Sequence, residues 1–136
     1  MNELTETRLL AGRTILVVED QYVIAEELVQ LLLELGATVI GPFARAEIDL
    51  AAQPRPDAAL LDIHLHGRPV FELADRLRQA GVPLLFLTGY DASVLPPAYQ
   101  DLPCLPKPVD PRRLELALAR LLPAPRADLQ DAGETG

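Results

Sequence analysis

The segment Thr14–Asp20, which reads TILVVED, sets the expectations for the rest of the chain. Residues 15–18 are all apolar, as in a strand that is buried on both faces of a parallel sheet. The apolar run ends abruptly at Glu19 and Asp20. In parallel sheets of α/β proteins, ligands bind at the carboxyl ends of the strands. An acidic pair at this point therefore predicts a functional edge as well as a fold class.

Short apolar runs of the same kind alternate with longer runs of helical periodicity along the chain. The first predicted helix stops at Gly36, and the last begins at Asp110-Pro111, an N-cap acceptor followed by proline at the first helical position. The predicted strands are Thr14–Val18, Ala37–Ile40, Ala58–Leu61, Pro83–Leu87 and Leu102–Leu105. The predicted helices are Gln21–Leu35, Ala44–Ala52, Pro69–Ala80, residues 91–99 and the segment from Pro111 to Leu122.

This alternation predicts an α/β fold, a doubly wound five-stranded parallel sheet with helices on both faces. The first and third strands are the most uniformly apolar, so they belong in the centre of the sheet. Pro103 cannot donate a ladder hydrogen bond, so the fifth strand suits an edge. With right-handed crossovers these conditions give the strand order 2-1-3-4-5. We expect a shortened or irregular fourth helix, because Pro96-Pro97 interrupts it.

Composition excludes several classes of protein. The chain has 136 residues, a net charge of −8 and 49% hydrophobic residues, as expected of one acidic domain with a sizeable core. The negative charge argues against binding to nucleic acid or to an anionic membrane surface. The lone Cys104 excludes an internal disulfide and a cysteine-built zinc site. No apolar run approaches the ~18 residues of a spanning helix, and the acidic start is unlike a secretory signal, so we expect a cytoplasmic protein.

Three segments are predicted from the change in composition along the chain. Residues 1–11 form an N-terminal extension, residues 12–123 form the domain, and residues 124–136 form a flexible acidic tail. The tail is polar, contains glycine and proline, and lacks periodicity. The residues after the last helix are too few for a DNA-binding module, so a stand-alone domain is expected.

Four of the five predicted strands deliver a polar or charged side chain to the same edge. The residues are Glu19, Asp20, Asp62, Thr88 and, after the fifth strand, Lys107. Two unit charges ~4 Å apart cost about 4 kcal/mol at an effective dielectric near 20, so three converging carboxylates need a counter-charge. Carboxylate, carbonyl and water ligands suit Mg²⁺ better than a soft metal. The pattern therefore predicts a Mg²⁺ site.

Lys107 is the only lysine among the twelve lysine and arginine residues. A lone ammonium in an arginine-rich chain suggests a compact point charge directed at an anion. The bond to Pro108 is a candidate for the cis form. A carboxylate beside a cation site, a hydroxyl and an ammonium suits phosphoryl transfer, in which Asp62 attacks phosphorus while Thr88 and Lys107 donate to the phosphoryl oxygens.

These motifs resemble those of response-regulator receiver domains of two-component signalling, over residues 12–123. The resemblance rests on Val17–Asp20, Leu60–Ile63, Thr88 and Lys107-Pro108, which occur in the family's order at the strand ends. It implies a flavodoxin-like fold, with Asp62 as phosphoacceptor. It also implies Glu19, Asp20, Asp62 and the main-chain carbonyl of His64 as Mg²⁺ ligands. Phe86–Tyr90 resembles the Phe-x-Thr-Gly-Tyr motif of atypical receivers, which implies a histidine kinase of the HWE or related type, or a phosphotransfer protein, as partner.

The sequence departs from the ordinary receiver pattern in two places. Cys104 stands where the family has its switch aromatic, three residues before the lysine, and Pro96-Pro97 breaks the fourth helix. Both departures argue against the usual switch between threonine and that aromatic. Our hypothesis is that Tyr90 replaces the missing aromatic, so that Thr88 and Tyr90 form the switch and residues 89–101 reorder on phosphorylation.

The function predicted from these residues is that of a stand-alone receiver that signals by protein contact or phosphate shuttling, and not that of an enzyme. Its oligomeric state is left open between a monomer and a weak dimer. A pseudo-receiver that never takes phosphate is one alternative. A small Mg²⁺-dependent phosphatase is another, although haloacid-dehalogenase-like enzymes have a second aspartate where this chain has His64. A metal site at His64 and His66 is disfavoured because the chain has no further histidine.

Overall fold

A parallel five-stranded sheet covered by helices organises the chain in the computed structural model, which describes residues 9–65, 68–89 and 95–122. The strands are β1 (Thr14–Val18), β2 (Thr38–Phe43), β3 (Ala58–Asp62), β4 (His64–Leu65), β5 (Arg68–Pro69), β6 (Leu84–Thr88) and β7 (Cys104–Pro106). The α-helices are α1 (Tyr22–Glu34), α2 (Phe71–Gln79) and α3 (Pro111–Leu121). Short 3₁₀ turns span Leu50–Ala52 and Pro97–Tyr99.

The main sheet has the order β2-β1-β3-β6-β7, and all its pairs are parallel. Counted among its five strands alone, this is the predicted order 2-1-3-4-5. β4 and β5 pair with each other in a separate antiparallel hairpin. β7 lies at the edge, as expected for a strand that Pro103 precedes. The predicted fold class is confirmed.

Alternation along the central strands divides the core into two clusters. Leu16, Leu61 and Phe86 face α2, whereas Ile15, Leu60 and Leu85 face α1 and α3. Every one of these six side chains is at most 1% exposed. The strands are therefore apolar on both sides because helices cover both faces of the sheet.

The predicted ends of the first and last helices are also found. Gly36 follows α1 with φ 97°, a left-handed conformation that glycine adopts without steric cost. At the start of α3, the side chain of Asp110 accepts a hydrogen bond from the backbone nitrogen of Arg112 at 3.0 Å. The bond between Lys107 and Pro108 is cis.

The helix predicted over Ala44–Ala52 is wrong, because only Leu50–Ala52 forms a 3₁₀ turn. The guanidinium of Arg76 on α2 donates to the carbonyl oxygens of Ile48 at 3.0 Å and Ala46 at 3.3 Å. In a helix those carbonyls would accept from amides four residues later. The segment instead packs against α2 with Ile48 buried.

The segment predicted as a fourth helix contains a 3₁₀ turn at Pro97–Tyr99, while residues 90–94 lie outside the described residues. The ring of Tyr99 is buried and stacks on Phe71 at a centroid distance of 5.3 Å. It also meets Phe86 edge-on at 5.6 Å. These three rings, which we name the aromatic cluster, anchor the irregular connection to the sheet.

The bounds of four sheet strands also differ from the prediction: β3 ends one residue later, at Asp62, and β6 is Leu84–Thr88 instead of Pro83–Leu87. β2 continues through Gly41-Pro42 to Phe43, and the fifth sheet strand is Cys104–Pro106 instead of Leu102–Leu105. Gly41 has φ 104°, and a Cβ atom there would lie 2.7 Å from the carbonyl oxygen of Val17. Glycine therefore lets β2 pass close to β1 at a point where its sequence indicated a strand end.

Leu10, within the predicted N-terminal extension, is fully buried, and its backbone nitrogen donates to the carbonyl oxygen of Leu35 at 2.8 Å. The predicted acidic tail, residues 124–136, lies outside the described residues. Among the helices that the structure describes, none has both the length and the hydrophobicity needed to span a bilayer.

Candidate functional site

Three carboxylates meet at the carboxyl edge of the sheet. Glu19 and Asp20 follow β1, and Asp62 ends β3, the strand that pairs with β1. One oxygen from each carboxylate lies within 4.8 Å of the others. Glu19 is 2% exposed and Asp62 is 4% exposed, whereas Asp20 is half-buried. The predicted convergence of these acids is therefore present in the structure.

Lys107, which follows the edge strand β7, extends its side chain into the same group of carboxylates. Its backbone nitrogen donates to the carbonyl oxygen of Thr88 at 2.8 Å, which continues the pairing of β6 with β7. Its Nζ lies 2.9 Å from Glu19 Oε1 and 3.1 Å from Asp62 Oδ2. Lys107 is thereby held at its backbone by one strand end and at its ammonium by two others. We name Glu19, Asp20, Asp62 and Lys107 the polar cluster.

Hydrogen bonds fix both buried carboxylates. Glu19 Oε2 accepts from the backbone nitrogen of Gln21 at 3.0 Å and from Lys107 Nζ at 3.1 Å. Asp62 Oδ1 accepts from the backbone nitrogen of His64 at 3.3 Å. Glu19 Oε1, although close to Nζ, accepts no hydrogen bond from any residue that the structure describes. A buried carboxylate oxygen thus retains an unused acceptor position.

Burial dominates the protonation equilibria of the cluster. It raises the pKa of Glu19 and of Asp62 above their ordinary values, in spite of the hydrogen bonds from Lys107 that lower them. For Lys107, burial lowers the pKa, but hydrogen bonds and charge from Glu19 and Asp62 outweigh it and raise the pKa overall. One ammonium therefore does not fully compensate the acids around it.

The donor set fits a hard divalent cation. When ionised, three carboxylates against one ammonium leave two negative charges in excess among these four side chains. Oxygen ligands are what such cations take, and Glu19 Oε1 is an oxygen with no hydrogen bond in the described part of the chain. The buried acidic cluster can therefore bind a metal ion.

The other predicted site residues differ in what the structure describes of them. Thr88 ends β6 and is 4% exposed, next to the strand that carries Asp62. His64 is half-buried and directs its backbone nitrogen to Asp62, while the role of its carbonyl as a metal ligand stays a prediction. Tyr90 and His66 lie outside the described residues, so the switch hypothesis stays a prediction too.

Sequence reasoning missed Gln21, whose Oε1 accepts a hydrogen bond from Lys107 Nζ at 3.0 Å. Its place in the sequence indicates only the start of the first helix. The two residues are 86 positions apart, so no local pattern links them. The one available signal was its position directly after the acidic pair, where a polar side chain points at the same edge of the sheet.

Solved structures similar to this chain identify its family. A solution structure of SdrG from Sphingomonas melonis Fr1 is 32% identical, with a TM-score of 0.71, and the match covers 80% of this chain and 95% of that one. A signal receiver domain of a modulated diguanylate cyclase from Desulfovibrio desulfuricans G20 is 29% identical, with a TM-score of 0.69, over 80% of this chain and 92% of that one. The chain belongs to the response-regulator receiver family.

Another match to this receiver is a longer protein. The response regulator PhyR from Brucella abortus matches with a TM-score of 0.73 and 21% identity, over 98% of this chain but 55% of that one. The receiver thus spans about half the length of PhyR, and at this identity the likeness concerns the fold. None of the protein-family models matches the sequence, and a search of curated proteins finds no match.

Proposed function

We propose that this receiver accepts a phosphoryl group on Asp62 from a histidine kinase or a phosphotransfer protein, and that it signals by protein contact or by passing the phosphate on. The observation that carries the proposal is the polar cluster. A buried aspartate ends a central strand with an ammonium 3.1 Å from its Oδ2 and two further acids beside it. Such an arrangement offers both a nucleophile and charges to bind a phosphoryl group.

The proposed step is a direct displacement at phosphorus. A carboxylate oxygen of Asp62 forms a bond to phosphorus while the bond from phosphorus to the donor's histidine nitrogen breaks. The electron pair of the broken bond returns to the imidazole, which then takes up a proton. Lys107 Nζ, already within 3.1 Å of Asp62, is positioned to donate to a phosphoryl oxygen, and we assign the Thr88 hydroxyl to another.

We assign Mg²⁺ binding to Glu19, Asp20 and Asp62, together with the main-chain carbonyl of His64. With these ligands holding it, Mg²⁺ would supply positive charge to the phosphoryl oxygens, which the carboxylates would otherwise repel. In the structure, Glu19 also forms an ion pair with Lys107, which links the acid pair to the strand end that carries the lysine.

The chemistry proposed for the chain is limited to its own phosphorylation and dephosphorylation, without turnover of an external substrate. For the partner we propose a histidine kinase of the HWE or related type, on the strength of Phe86–Gly89, which carries the Phe-x-Thr-Gly part of the strand motif. We also propose that the receiver is soluble and cytoplasmic, where it would encounter the kinase domain.

The test is phosphorylation of the purified protein by acetyl phosphate with Mg²⁺, followed by intact mass spectrometry. We expect one phosphoryl group on the wild type, lost on treatment with hydroxylamine as an acyl phosphate is, and none on Asp62→Asn. Asp75→Asn, an exposed aspartate on α2, is the matched control and should behave as the wild type. No phosphate on the wild type would indicate a pseudo-receiver, and steady turnover of a phosphomonoester would indicate a phosphatase.

A further inference from the structure

Gln21 contacts both sides of the ion pair between Glu19 and Lys107. Its side-chain Oε1 accepts from Lys107 Nζ at 3.0 Å, while its backbone nitrogen donates to Glu19 Oε2 at 3.0 Å. Gln21 as a whole is exposed and stands directly before α1. An exposed side chain that reaches inward to a largely buried ammonium is held there by that contact.

The contact with Gln21 is one of those that surround the Lys107 ammonium. An ammonium has three N–H donors, and oxygens of three side chains lie within 3.1 Å of this one: both carboxylate oxygens of Glu19 at 2.9 and 3.1 Å, Gln21 Oε1 at 3.0 Å and Asp62 Oδ2 at 3.1 Å. They come from the turn after β1 and from the end of β3. Gln21 supplies the neutral acceptor of the three, and it does not belong to the acidic cluster.

The neutrality of Gln21 separates its role from that of the acids. Glu19 and Asp62 are among the residues to which we assign the metal ion, and Asp62 is also the proposed phosphoacceptor. Their oxygens therefore change partners during the proposed reaction, whereas the amide oxygen of Gln21 does not. A carboxylate at position 21 would add a further negative charge where a phosphoryl group has to enter.

We infer that Gln21 is a positioning residue, which holds the Lys107 ammonium over Asp62 while the acids change their partners. The inference rests on the proposed function for its effect on phosphoryl transfer, but the contact itself exists without it. A hydrogen bond of a charged group is worth ~1.5–3 kcal/mol, and the exposure of Gln21 places this one at the lower end, which corresponds to roughly a tenfold change in rate. We expect Gln21→Met, which keeps the length of the side chain and removes the acceptor, to slow phosphorylation by about that factor.

The contact can be observed directly because Lys107 is the only lysine. Protein labelled with ¹³Cε and ¹⁵Nζ lysine gives a single side-chain ammonium signal. In the metal-free, unphosphorylated protein we expect Gln21→Met to shift that signal, Gln21→Glu to retain an acceptor and so preserve a bound ammonium, and Gln30→Met to leave the signal unchanged. Gln30 is exposed further along α1 and serves as the matched control.

Phosphorylation rates with acetyl phosphate and Mg²⁺ complete the test on the same variants. A shifted Lys107 signal with a slower rate in Gln21→Met, and neither change in Gln30→Met, supports the inference. An unchanged signal, or a changed signal with an unchanged rate, overturns it while leaving the proposed function intact. A wild type that takes no phosphate overturns the proposed function as well, and the Lys107 signal then reports on the contact alone.

Discussion

The polar cluster and the aromatic cluster lie close together along β6, but they differ in what burial does to their side chains. Phe86 belongs to the aromatic cluster, and Thr88, two residues later, ends the strand beside the polar cluster. In the aromatic cluster, rings at 5.3–6.1 Å bury apolar surface and gain from their packing geometry. In the polar cluster, burial raises the pKa of both Glu19 and Asp62, so ionised acids there are held at a cost.

We therefore expect the aromatic cluster to contribute stability and the polar cluster to carry the proposed chemistry. Removing a ring should destabilise the domain without touching a reacting group, whereas removing a carboxylate should abolish phosphorylation with little loss of stability. The connections between β2 and β3 and between β6 and β7 contain no α-helix among their described residues, and each places a side chain, Ile48 or Tyr99, in the apolar core that includes the aromatic cluster.

The largest effect is expected for Phe86→Ala. Phe86 is fully buried between Phe71 and Tyr99, so the truncation leaves a cavity and should lower the free energy of unfolding by about 3–5 kcal/mol. Urea unfolding followed by circular dichroism measures it. Leu116→Ala, at an exposed leucine on α3, is the control and should change the stability far less. A loss below about 1 kcal/mol for Phe86→Ala would contradict the role given to the aromatic cluster.

A smaller, local effect is expected for Arg76→Met. The variant removes the hydrogen bonds to the carbonyls of Ile48 and Ala46, with a loss of about 1–2 kcal/mol. Amide hydrogen exchange should show faster exchange over residues 46–53 while the central strands keep their protection. Arg112→Met on α3 should leave that segment unchanged, and equal exchange in both variants would show that Arg76 does not hold the connection.

Binding of Mg²⁺ to the polar cluster should stabilise the folded protein. If the three acids hold Mg²⁺, an ion concentration ten times the dissociation constant should raise the free energy of unfolding by about 1.4 kcal/mol. Thermal unfolding with increasing MgCl₂ measures this, with NaCl at matched ionic strength as the control. Asp62→Asn should respond much less than the wild type. An identical response in both proteins would indicate general salt effects instead of a site.

The smallest effect concerns the reactivity of the Cys104 thiol, which lies on the edge strand β7 beside the aromatic cluster. It packs partly buried against the same core, and burial raises the pKa of its thiol. Since the thiolate is the reactive form, iodoacetamide should modify Cys104 more slowly than it modifies free glutathione at pH 7.5. As the pH is raised, the rate for glutathione should level off first, and the rate for Cys104 should still be increasing at that pH. Mass spectrometry over time follows both, and a rate as high as that of glutathione would show an open edge.

The sheet and the polar cluster could be predicted from the sequence because their signals are local. The apolar run before Glu19 indicates both a buried strand and its end, and the same reasoning applies to Asp62 and Thr88. A parallel sheet then brings those ends together without further information. The position of Lys107 follows equally from the end of the last strand.

The connections could not be predicted, because what decides them lies far away in the chain. The segment 44–52 has weak helical periodicity, but Arg76, 28 residues beyond Ile48, binds its carbonyls. Tyr99 gave no signal of a core residue until its partners Phe71 and Phe86 were placed. The position of Gln21 indicates a helix start, and its hydrogen bond with Lys107 depends on a residue 86 positions later in the chain.

The most direct measurement of the central claim is localisation of the phosphoryl group after incubation with acetyl phosphate and Mg²⁺. Reduction of the acyl phosphate with borohydride, followed by peptide mass spectrometry, marks the modified residue. The account predicts a single modified position, Asp62, in the wild type. Modification at Glu19, at Asp20 or at another residue, or none in a protein that is folded and loaded with Mg²⁺, would contradict it.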